Sequence, residues 1–382
     1  MIAGLYVHVP YCSVRCSYCD FYLVTSGLSD AGRYCRALCA EIGAAGSPDT
    51  VVDTIHFGGG TPSILPPADL DGVLAAIRRA FRVAEGAEIT LEANPEDLDR
   101  SVLERLAGAG FNRIAIGVQS LDDRQLRIMR RAHTAERALA AIAAARSSPI
   151  AGVAVDLMLG LPEQDCDEAL RGVQRIVDAG VDHVSIYLLE VHARTRLGRA
   201  IDLGRTTPMG EDESARLYEA AAESLVAAGF EQYEISNFAR PGHRSRHNLK
   251  YWTDQDYFGF GPSAHSYVGG RRWWNAADLR AYLRLGGARC ERHEEPAGRT
   301  ARGAEALCAG LRLCAGVALQ SLRARYGSAI PAVDDARLVE LRDAGLVSIA
   351  GDRLCLTPRG RLLSNEVLAR LIPSPGGRST LS

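Results

Sequence analysis

Short apolar runs alternate with amphipathic stretches through the first half of this chain, and this rhythm constrains its fold more than any other feature. The runs are residues 5–9, 54–57, 88–91, 113–118, 152–159 and 183–189. Between the second and third runs, residues 69–83 carry apolar side chains at helical spacing. Helical segments ending at Gly110, Gly180 and Gly229 are each followed directly by an apolar residue, which is how a helix closes and the chain re-enters a core. Strands that alternate with helices predict βα units and a parallel sheet.

The residues that follow these strands distinguish an open barrel from a doubly wound sheet. The first strand runs into a cysteine loop and the second into three successive glycines, while the next three end near Glu92, Gln119 and Asp156. In a β/α barrel, polar groups at the carboxyl ends of successive strands converge on one site. A doubly wound sheet gathers its ligands at one or two switch points instead. We therefore expect an α/β fold built on a partial (β/α)6 barrel of the TIM type.

The chain beyond the sixth run is expected to complete one domain and then form a second. Residues 230–295 are rich in aromatic residues and glycine, and they predict irregular structure packed beside the barrel within a first domain of residues 1–295. Residues 299–372 follow a short linker. They carry helical patterns at 303–326 and 334–344, two short runs at 346–349 and 353–356, and a last helix. This order is typical of a small winged-helix-like domain, and residues 373–382 predict a disordered tail.

Composition and charge narrow the class of protein. The chain has 382 residues, a formal net charge of −2 and 24% charged residues, a balance typical of globular proteins. Since a net charge near zero offers no broad attraction to nucleic acid, we expect no nucleic-acid partner. No apolar run reaches the roughly 18 residues of a membrane span, and residues 1–12 lack the basic start of a secretory signal. We expect a cytoplasmic protein that contacts membranes only through a partner.

The spacing of the ten cysteines matters more than their number. Five disulfides would suit a short secreted chain rather than one of this length. Cys12, Cys16 and Cys19 form C-x3-C-x2-C directly after the first strand. A zinc site usually needs four ligands, and a [4Fe–4S] cluster normally takes four cysteines. Three cysteines therefore predict a cluster with one iron left open, while the other seven are expected to fill space in the interior.

The cysteine motif resembles the signature of radical S-adenosylmethionine (SAM) enzymes. The resemblance implies that Cys12, Cys16 and Cys19 bind a [4Fe–4S] cluster whose open iron holds the amino and carboxylate groups of SAM. It also implies that Tyr18, the aromatic residue before the last cysteine, lies against the adenine.

A second motif extends this resemblance. Gly59, Gly60 and Thr61 belong to the sequence GGGTP after the second run, which is similar to the family's glycine motif and implies backbone contacts with the methionine part of SAM. A glycine run alone predicts only a tight turn, but this one follows a strand at the expected distance from the cysteines.

The resemblance narrows to the branch that contains oxygen-independent coproporphyrinogen III oxidase, and it covers essentially the whole chain. It implies further SAM contacts by Tyr6, Glu92, Gln119, Arg131 and Asp156. Ordinary alternatives remain, since Arg131 could be a surface residue, Asp156 a turn residue, and Glu92 and Gln119 loop caps. Their places at the ends of successive strands favour one shared site.

Two features separate this chain from the oxidase. The oxidase carries a further cysteine two positions after the third, where Phe21 stands here, and it has an N-terminal extension, whereas only eleven residues precede Cys12. Residues 247–252 read HNLKYW and resemble the HNxxYW motif of the radical SAM haem chaperones known as HemW. Those proteins bind haem and pass it to acceptor proteins.

The HNxxYW resemblance implies haem contacts by His247, Asn248, Tyr251 and Trp252. Imidazole is a good axial ligand of haem iron, and Tyr and Trp rings can stack on a porphyrin. The alternative is that these residues form a packed corner whose polar tips are hydrogen-bonded.

We therefore predict a haem chaperone that binds a [4Fe–4S] cluster, SAM and haem and transfers haem to acceptor proteins, and the family suggests a homodimer. The main alternative is a coproporphyrinogen III oxidase, which decarboxylates porphyrinogen propionates, so the sequence leaves open whether the protein is an enzyme. A third alternative is a regulator that binds DNA through the winged-helix-like end, which the net charge of −2 does not favour.

Overall fold

Six parallel strands form the centre of the fold, which we describe from a computed structural model covering residues 1–372. Each predicted run is a strand, and neighbours in sequence are neighbours in the sheet. The strands are β1 (Ile2–Val9), β2 (Ser47–Gly59), β3 (Phe81–Ala93), β4 (Arg113–Gln119), β5 (Gly152–Leu159) and β6 (His183–Leu188). The predicted α/β fold with a parallel sheet is confirmed. β2 and β3 begin earlier than their apolar runs, because exposed residues such as Asp49 in β2 and Glu85 in β3 interrupt the apolar pattern near their starts.

Helices connect these strands, as the alternating pattern predicts, and two more follow the sixth strand. They are α1 (Ala31–Ala45), α2 (Pro67–Ala80), α3 (Arg100–Ala109), α4 (Asp123–Ile128), α5 (Ala135–Arg146), α6 (Cys166–Asp178), α7 (Arg196–Asp202) and α8 (Glu211–Ala227). The helix expected at 69–83 stops at Ala80 because Phe81, although at helical spacing, already begins β3. Gly110 closes α3 in the left-handed conformation, with φ 107°, as its position predicts.

The expectation of irregular structure at 230–295 is wrong. This segment forms short strands that extend the sheet on both sides, in the order β12-β11-β10-β9-β1-β2-β3-β4-β5-β6-β8-β7. Its elements are β7 (Glu231–Gln232), β8 (Asn237–Ala239), α9 (Arg246–Trp252), β9 (Tyr257–Phe260), β10 (His265–Val268), β11 (Arg271–Asn275), α10 (Leu279–Leu285) and β12 (Arg292–Glu295). β9 pairs in parallel with β1, so these strands gain stability from an existing sheet edge more than from their own residue preferences.

Alternation along β1 separates the packing core from the site. Leu5 and Val7 are fully buried on one face of the strand, and burying such side chains stabilises a fold by about 1.5–3 kcal/mol each. Successive residues of a strand point to opposite faces, so Tyr6 and His8 lie on the other face, where the two side chains meet with Tyr6 Oη 3.2 Å from His8 Nδ1. The first face holds the helices in place, and the second contributes polar groups to the barrel interior.

A second compact unit contains residues 295–372 together with residues 232–235 and 248–255. Its elements are α11 (Arg299–Leu311), β13 (Val317–Ala318), α12 (Leu319–Tyr326), α13 (Ala336–Asp343), β14 (Val347–Ala350), β15 (Arg353–Leu356), α14 (Pro358–Leu362) and α15 (Ser364–Leu371). A core that includes Leu311, Leu338 and Leu354 joins its helices to a three-stranded sheet. The predicted disordered tail, 373–382, lies outside the described residues. Within residues 1–372, no helix is both long and apolar enough to cross a membrane.

Candidate functional site

A cavity of about 440 Å³ lies at the carboxyl ends of the central strands. Its lining comes from the loop after β1, the turn after β2, and the ends of β3, β4, β5 and β6, which is where a β/α barrel places its site. The structure brings together there most of the residues predicted from sequence, which are Cys12, Cys16, Tyr18, Cys19, Gly59, Gly60, Thr61, Glu92, Gln119, Arg131 and Asp156. Tyr6 and His247 do not line this cavity.

The cysteine loop is held in place by backbone contacts on both sides of the cavity. Cys12 N donates to Val24 O at 3.0 Å, and Ser17 N donates to Met129 O at 3.0 Å. Burial raises the pKa of Cys12 to about 11, and burial likewise raises the pKa of Cys19. Both of these thiols therefore keep their protons at neutral pH, and binding of a metal releases them.

The three thiols suit a cluster better than a single metal ion. Within residues 1–372, no three His, Cys, Asp or Glu side chains are placed to hold one ion together. Cys12, Cys16 and Cys19 are nevertheless free, partly exposed and directed at one cavity. In an iron–sulfur cube each cysteine binds a different iron, so its ligands do not need to converge on one point. The donor set fits a cluster with three protein ligands.

The glycine motif is a turn that only glycine can build. Gly59 has φ 106°, and a Cβ there would lie 2.5 Å from His8 Nδ1. A Cβ on Gly60 would lie 2.5 Å from the carbonyl oxygen of Tyr11. Gly60 N donates to Val9 O at 2.7 Å, and Thr61 Oγ1 lies 3.2 Å from Cys12 Sγ. The turn therefore exposes bare backbone to the cavity next to the first cysteine.

Opposite charges face the cavity from β3 and from the segment after α4. Glu92 accepts hydrogen bonds from His56 Nε2 at 2.9 Å and from Gly59 N at 3.3 Å. Arg131 donates to Asn94 Oδ1 at 2.6 Å and to Gly117 O at 2.7 Å, and its Nη1 lies 3.5 Å from Cys16 Sγ. A fixed carboxylate and a fixed guanidinium suit a ligand that carries both an ammonium and a carboxylate group.

Asp156 contributes a carboxyl group of a different kind. Burial raises its pKa to about 6, against a hydrogen bond from Ser185 that lowers it. At neutral pH a fraction of the molecules therefore still carries a proton on this carboxyl. It can accept a hydrogen bond when ionised and donate one when protonated.

Among the cavity residues that the sequence analysis did not predict, Asn94 and His192 have a signal in the sequence that could have found them. Asn94 directly follows the end of β3, and polar residues just after barrel strands are expected to face the site. His192 lines the cavity just after β6. The rule that gathers polar residues after each barrel strand applies equally to the sixth strand.

The histidine of the HNxxYW motif lies inside the barrel. His247 is fully buried, its Nδ1 lies 2.9 Å from Thr54 Oγ1, and its ring stacks on His56 with centroids 5.2 Å apart. The backbone N–H groups of Arg246 and His247 donate to the carboxylate of Glu88 at 2.9 Å each. In this structure His247 belongs to a packed interior, and its predicted haem contact stays a prediction.

The other predicted haem contacts, Asn248, Tyr251 and Trp252, are grouped with the second unit. There the Arg312 guanidinium carbon lies 4.5 Å from the centre of the Trp252 ring, and the rings of Tyr251 and Trp252 meet edge to face. These contacts agree with the alternative of a packed corner. A haem contact by these residues is likewise untested.

Tyr6 belongs to the same interior as His247. Its ring lies 6.1 Å from that of His56 and 6.5 Å from that of His247. Burial raises its pKa well above the ordinary range, so the phenol stays neutral. We call Tyr6, His8, His56 and His247 the interior ring layer. The SAM contact predicted for Tyr6 stays a prediction.

Comparison with known proteins identifies relatives over nearly the whole chain. The family model described as "Radical SAM superfamily" matches residues 6–171, and the model described as "HemN C-terminal domain" matches residues 299–363. A protein named "Heme chaperone HemW" from Mycobacterium tuberculosis is 38% identical over 97% of this chain and 94% of its own length. A protein of the same name from Bacillus subtilis is 33% identical over 96% and 98%.

The solved structure of "Coproporphyrinogen III oxidase (HemN)" from Escherichia coli, described as a radical SAM enzyme, superposes with a TM-score of 0.83. It covers 97% of this chain and 90% of that chain at 22% identity, a likeness that supports the fold alone. Because the full-length relatives share more than 30% of their residues with this protein, the chain belongs to the HemW family within the radical SAM superfamily.

Proposed function

We propose that this protein is a haem chaperone that binds a [4Fe–4S] cluster, SAM and haem and transfers haem to acceptor proteins. The observation that carries the proposal is its similarity, over 97% of the chain, to a protein named "Heme chaperone HemW". The cavity supports the cofactor part of the proposal, because the cysteine loop, the glycine turn and both fixed charges line it together.

Each part of the cavity has a defined task in this proposal. Cys12, Cys16 and Cys19 would hold the cluster through three of its irons, and the bound cluster would supply the electron for reductive cleavage of SAM. The backbone at Gly59 and the carboxylate of Glu92 bind the ammonium group of SAM. The fixed guanidinium of Arg131 offsets negative charge beside Cys16.

The remaining predicted contacts complete the SAM site. Tyr18 lies against the adenine, and Gln119 and Asp156 offer hydrogen bonds from the ends of neighbouring strands. Gln119 has a positive φ of 65°, a backbone conformation that costs free energy and is often found at binding sites. Its side-chain amide can donate and accept hydrogen bonds.

Compartment and assembly are further parts of the proposal. The ten cysteines all lie within residues 1–372 and none of them forms a disulfide, which suits a reducing compartment, and we place the protein in the cytoplasm. We also propose a homodimer, which sedimentation of samples with and without cluster would test.

One experiment tests the function and its main rival on the same sample. The full chain is reconstituted with iron and sulfide under anaerobic conditions, titrated with haem, and then mixed with a haem-free acceptor protein. We expect a saturable change in the Soret band at about one haem per chain, followed by transfer to the acceptor. Absence of saturable binding would overturn the proposal. Formation of vinyl product from coproporphyrinogen III and SAM at turnover rates would replace it with the oxidase.

A further inference from the structure

The mouth of the cavity exposes apolar side chains that the proposed cluster and SAM contacts do not use. Phe21 is 68% exposed although it follows the cysteine loop directly. It lines the cavity with Val14, Tyr187 and Leu188, which are also exposed. A group of large apolar residues around one opening is unusual on a protein surface and marks a place where a ligand or partner binds. We call Val14, Phe21, Tyr187 and Leu188 the apolar rim.

Val14 and Phe21 belong to the cysteine loop, and Tyr187 and Leu188 to the end of β6. Two contacts join these two segments. The guanidinium of Arg194, after β6, pairs with the carboxylate of Asp20 beside Phe21, and this hydrogen bond lowers the pKa of Asp20. Leu197 N donates to Ser17 O at 2.8 Å in the same region. The cysteine loop and the segment after β6 therefore form one binding surface.

A cation and an imidazole stand beside the apolar rim. Arg130 lines the cavity, is exposed, and has a positive φ of 59°. Within residues 1–372 its guanidinium makes no hydrogen bond or ion pair. His192 also lines the cavity with its side chain 37% exposed, and Nε2 lies 3.9 Å from the carboxylates of Asp20 and Glu190. Both groups remain available to a ligand at this opening.

The polar floor and the apolar rim suit different ligands. The floor carries the cysteines, the glycine turn and the fixed charges, which match a cluster and the amino-acid part of SAM. A cavity of about 440 Å³ is within the usual range for one small molecule, so a second, larger ligand has to lie at the mouth. Haem is flat and apolar on its faces, carries propionates at one edge, and takes imidazole as an axial ligand.

We propose that haem binds at this mouth, with its ring on the apolar rim, a propionate on Arg130 and its iron facing His192. This inference rests on the proposed function, and it places haem away from the HNxxYW histidine. An axial ligand needs an accessible nitrogen, whereas His247 is fully buried and its Nδ1 is within hydrogen-bond distance of Thr54 Oγ1. His192 meets the requirement without rearrangement of the barrel.

The test is haem titration of the anaerobically reconstituted full chain, with iron content measured before each titration. Phe21→Asp is expected to weaken haem binding at least tenfold, and Arg130→Gln severalfold. His192→Ala is expected to shift the Soret band and change the spin state seen by electron paramagnetic resonance, with recovery on addition of imidazole. Val226→Asp, at a site 53% exposed on α8, and His293→Ala, exposed on β12, are the matched controls and should bind haem as the wild type does.

The outcomes separate this inference from the proposed function. If the wild type shows no saturable haem binding, the function itself fails. If the wild type binds and the Phe21, Arg130 and His192 variants all bind identically to it, the mouth is the wrong site. Because Phe21→Asp lies close to Cys19, Leu188→Asp from β6 repeats the test with a residue distant in sequence from the cysteines. Unchanged binding in Leu188→Asp, or loss of the axial signature only in His247→Ala, would also overturn the inference.

Discussion

The cavity mouth and the interior ring layer contain similar side chains in opposite states. At the mouth, Phe21 is exposed and His192 is partly exposed, and both line the cavity. In the interior ring layer, His247 is fully buried and stacks on His56. Exposed rings keep their faces and nitrogen atoms for a ligand, whereas buried ones already use them for packing and hydrogen bonds. Residue type alone therefore does not identify a ligand site, and accessibility has to be known as well.

The interior ring layer also positions groups that line the cavity. His56 Nε2 donates to Glu92 at 2.9 Å, and His8 occupies the space that a side chain at position 59 would need. The layer thus orients the carboxylate and requires glycine in the turn. We expect changes at the mouth to alter ligand binding and changes in the layer to alter stability first.

The largest effect is expected at the cysteine loop. Cys16→Ser should reduce iron from about four atoms per chain to nearly none, because a cube with two protein ligands is poorly held. Circular dichroism should show a retained fold, since Cys16 is partly exposed. Cys39→Ser, at a partly exposed cysteine outside the cavity, is the control and should keep its iron. A Cys16→Ser protein with full iron content would remove Cys16 from the ligand set.

The next effect tests the interior ring layer. His247→Ala should lower the free energy of unfolding by about 2–4 kcal/mol, since it removes a buried hydrogen bond and leaves a cavity. Urea denaturation measures the change. The control His293→Ala, on an exposed strand, should change the free energy by less than about 0.5 kcal/mol. Unchanged stability together with lost haem binding would break the comparison and make His247 a ligand.

Glu92 lines the cavity and contacts His56 of the interior ring layer. We expect its substitution to change SAM affinity rather than iron content. Glu92→Gln should weaken SAM binding roughly 10- to 100-fold, because a hydrogen bond to a charged group contributes about 1.5–3 kcal/mol. Equilibrium dialysis against the reconstituted protein measures this, with Glu104→Gln on the exposed face of α3 as the control. Equal SAM affinity in both variants would separate Glu92 from the SAM site.

The smallest effect is a pH dependence at Asp156. Burial raises its pKa to about 6, above the ordinary value near 3.9, so the folded state holds this proton more tightly than the unfolded chain. Its contribution to stability is therefore fully present below pH about 4 and is lost as the pH rises through about 6.

Asp156→Asn removes the free-energy cost of ionising a buried carboxyl, because an amide does not ionise. At pH 8 the variant should be more stable than the wild type by about 1–2 kcal/mol. This gain is smaller than the pKa shift alone implies, because the side chain also faces the open cavity, where solvent screens its charge. At pH 5 the gain should be smaller. Urea denaturation of cluster-free protein at both pH values tests this, and a gain that is equal at both would contradict it.

Signals within a few residues were enough to predict much of the site. Strand-end positions placed Glu92, Gln119 and Asp156 in one cavity, because parallel strands in a barrel end at the same face. The same reason applies to Asn94 and His192, which follow the ends of β3 and β6. The placement of Tyr6 inside the barrel was not predicted, because β1 has polar side chains on one face whose depth depends on its neighbours.

The sequence by itself determined the six central strands, the cysteine loop and the glycine turn, because alternation, spacing and the lack of a side chain act locally along the chain. Only the tertiary structure decided that residues 230–295 extend the sheet, since pairing depends on which strand edge is free to accept hydrogen bonds. It also decided that His247 is buried while Phe21 is exposed and His192 is partly exposed. Burial is a property of the surrounding elements, and no pattern within one segment specifies it.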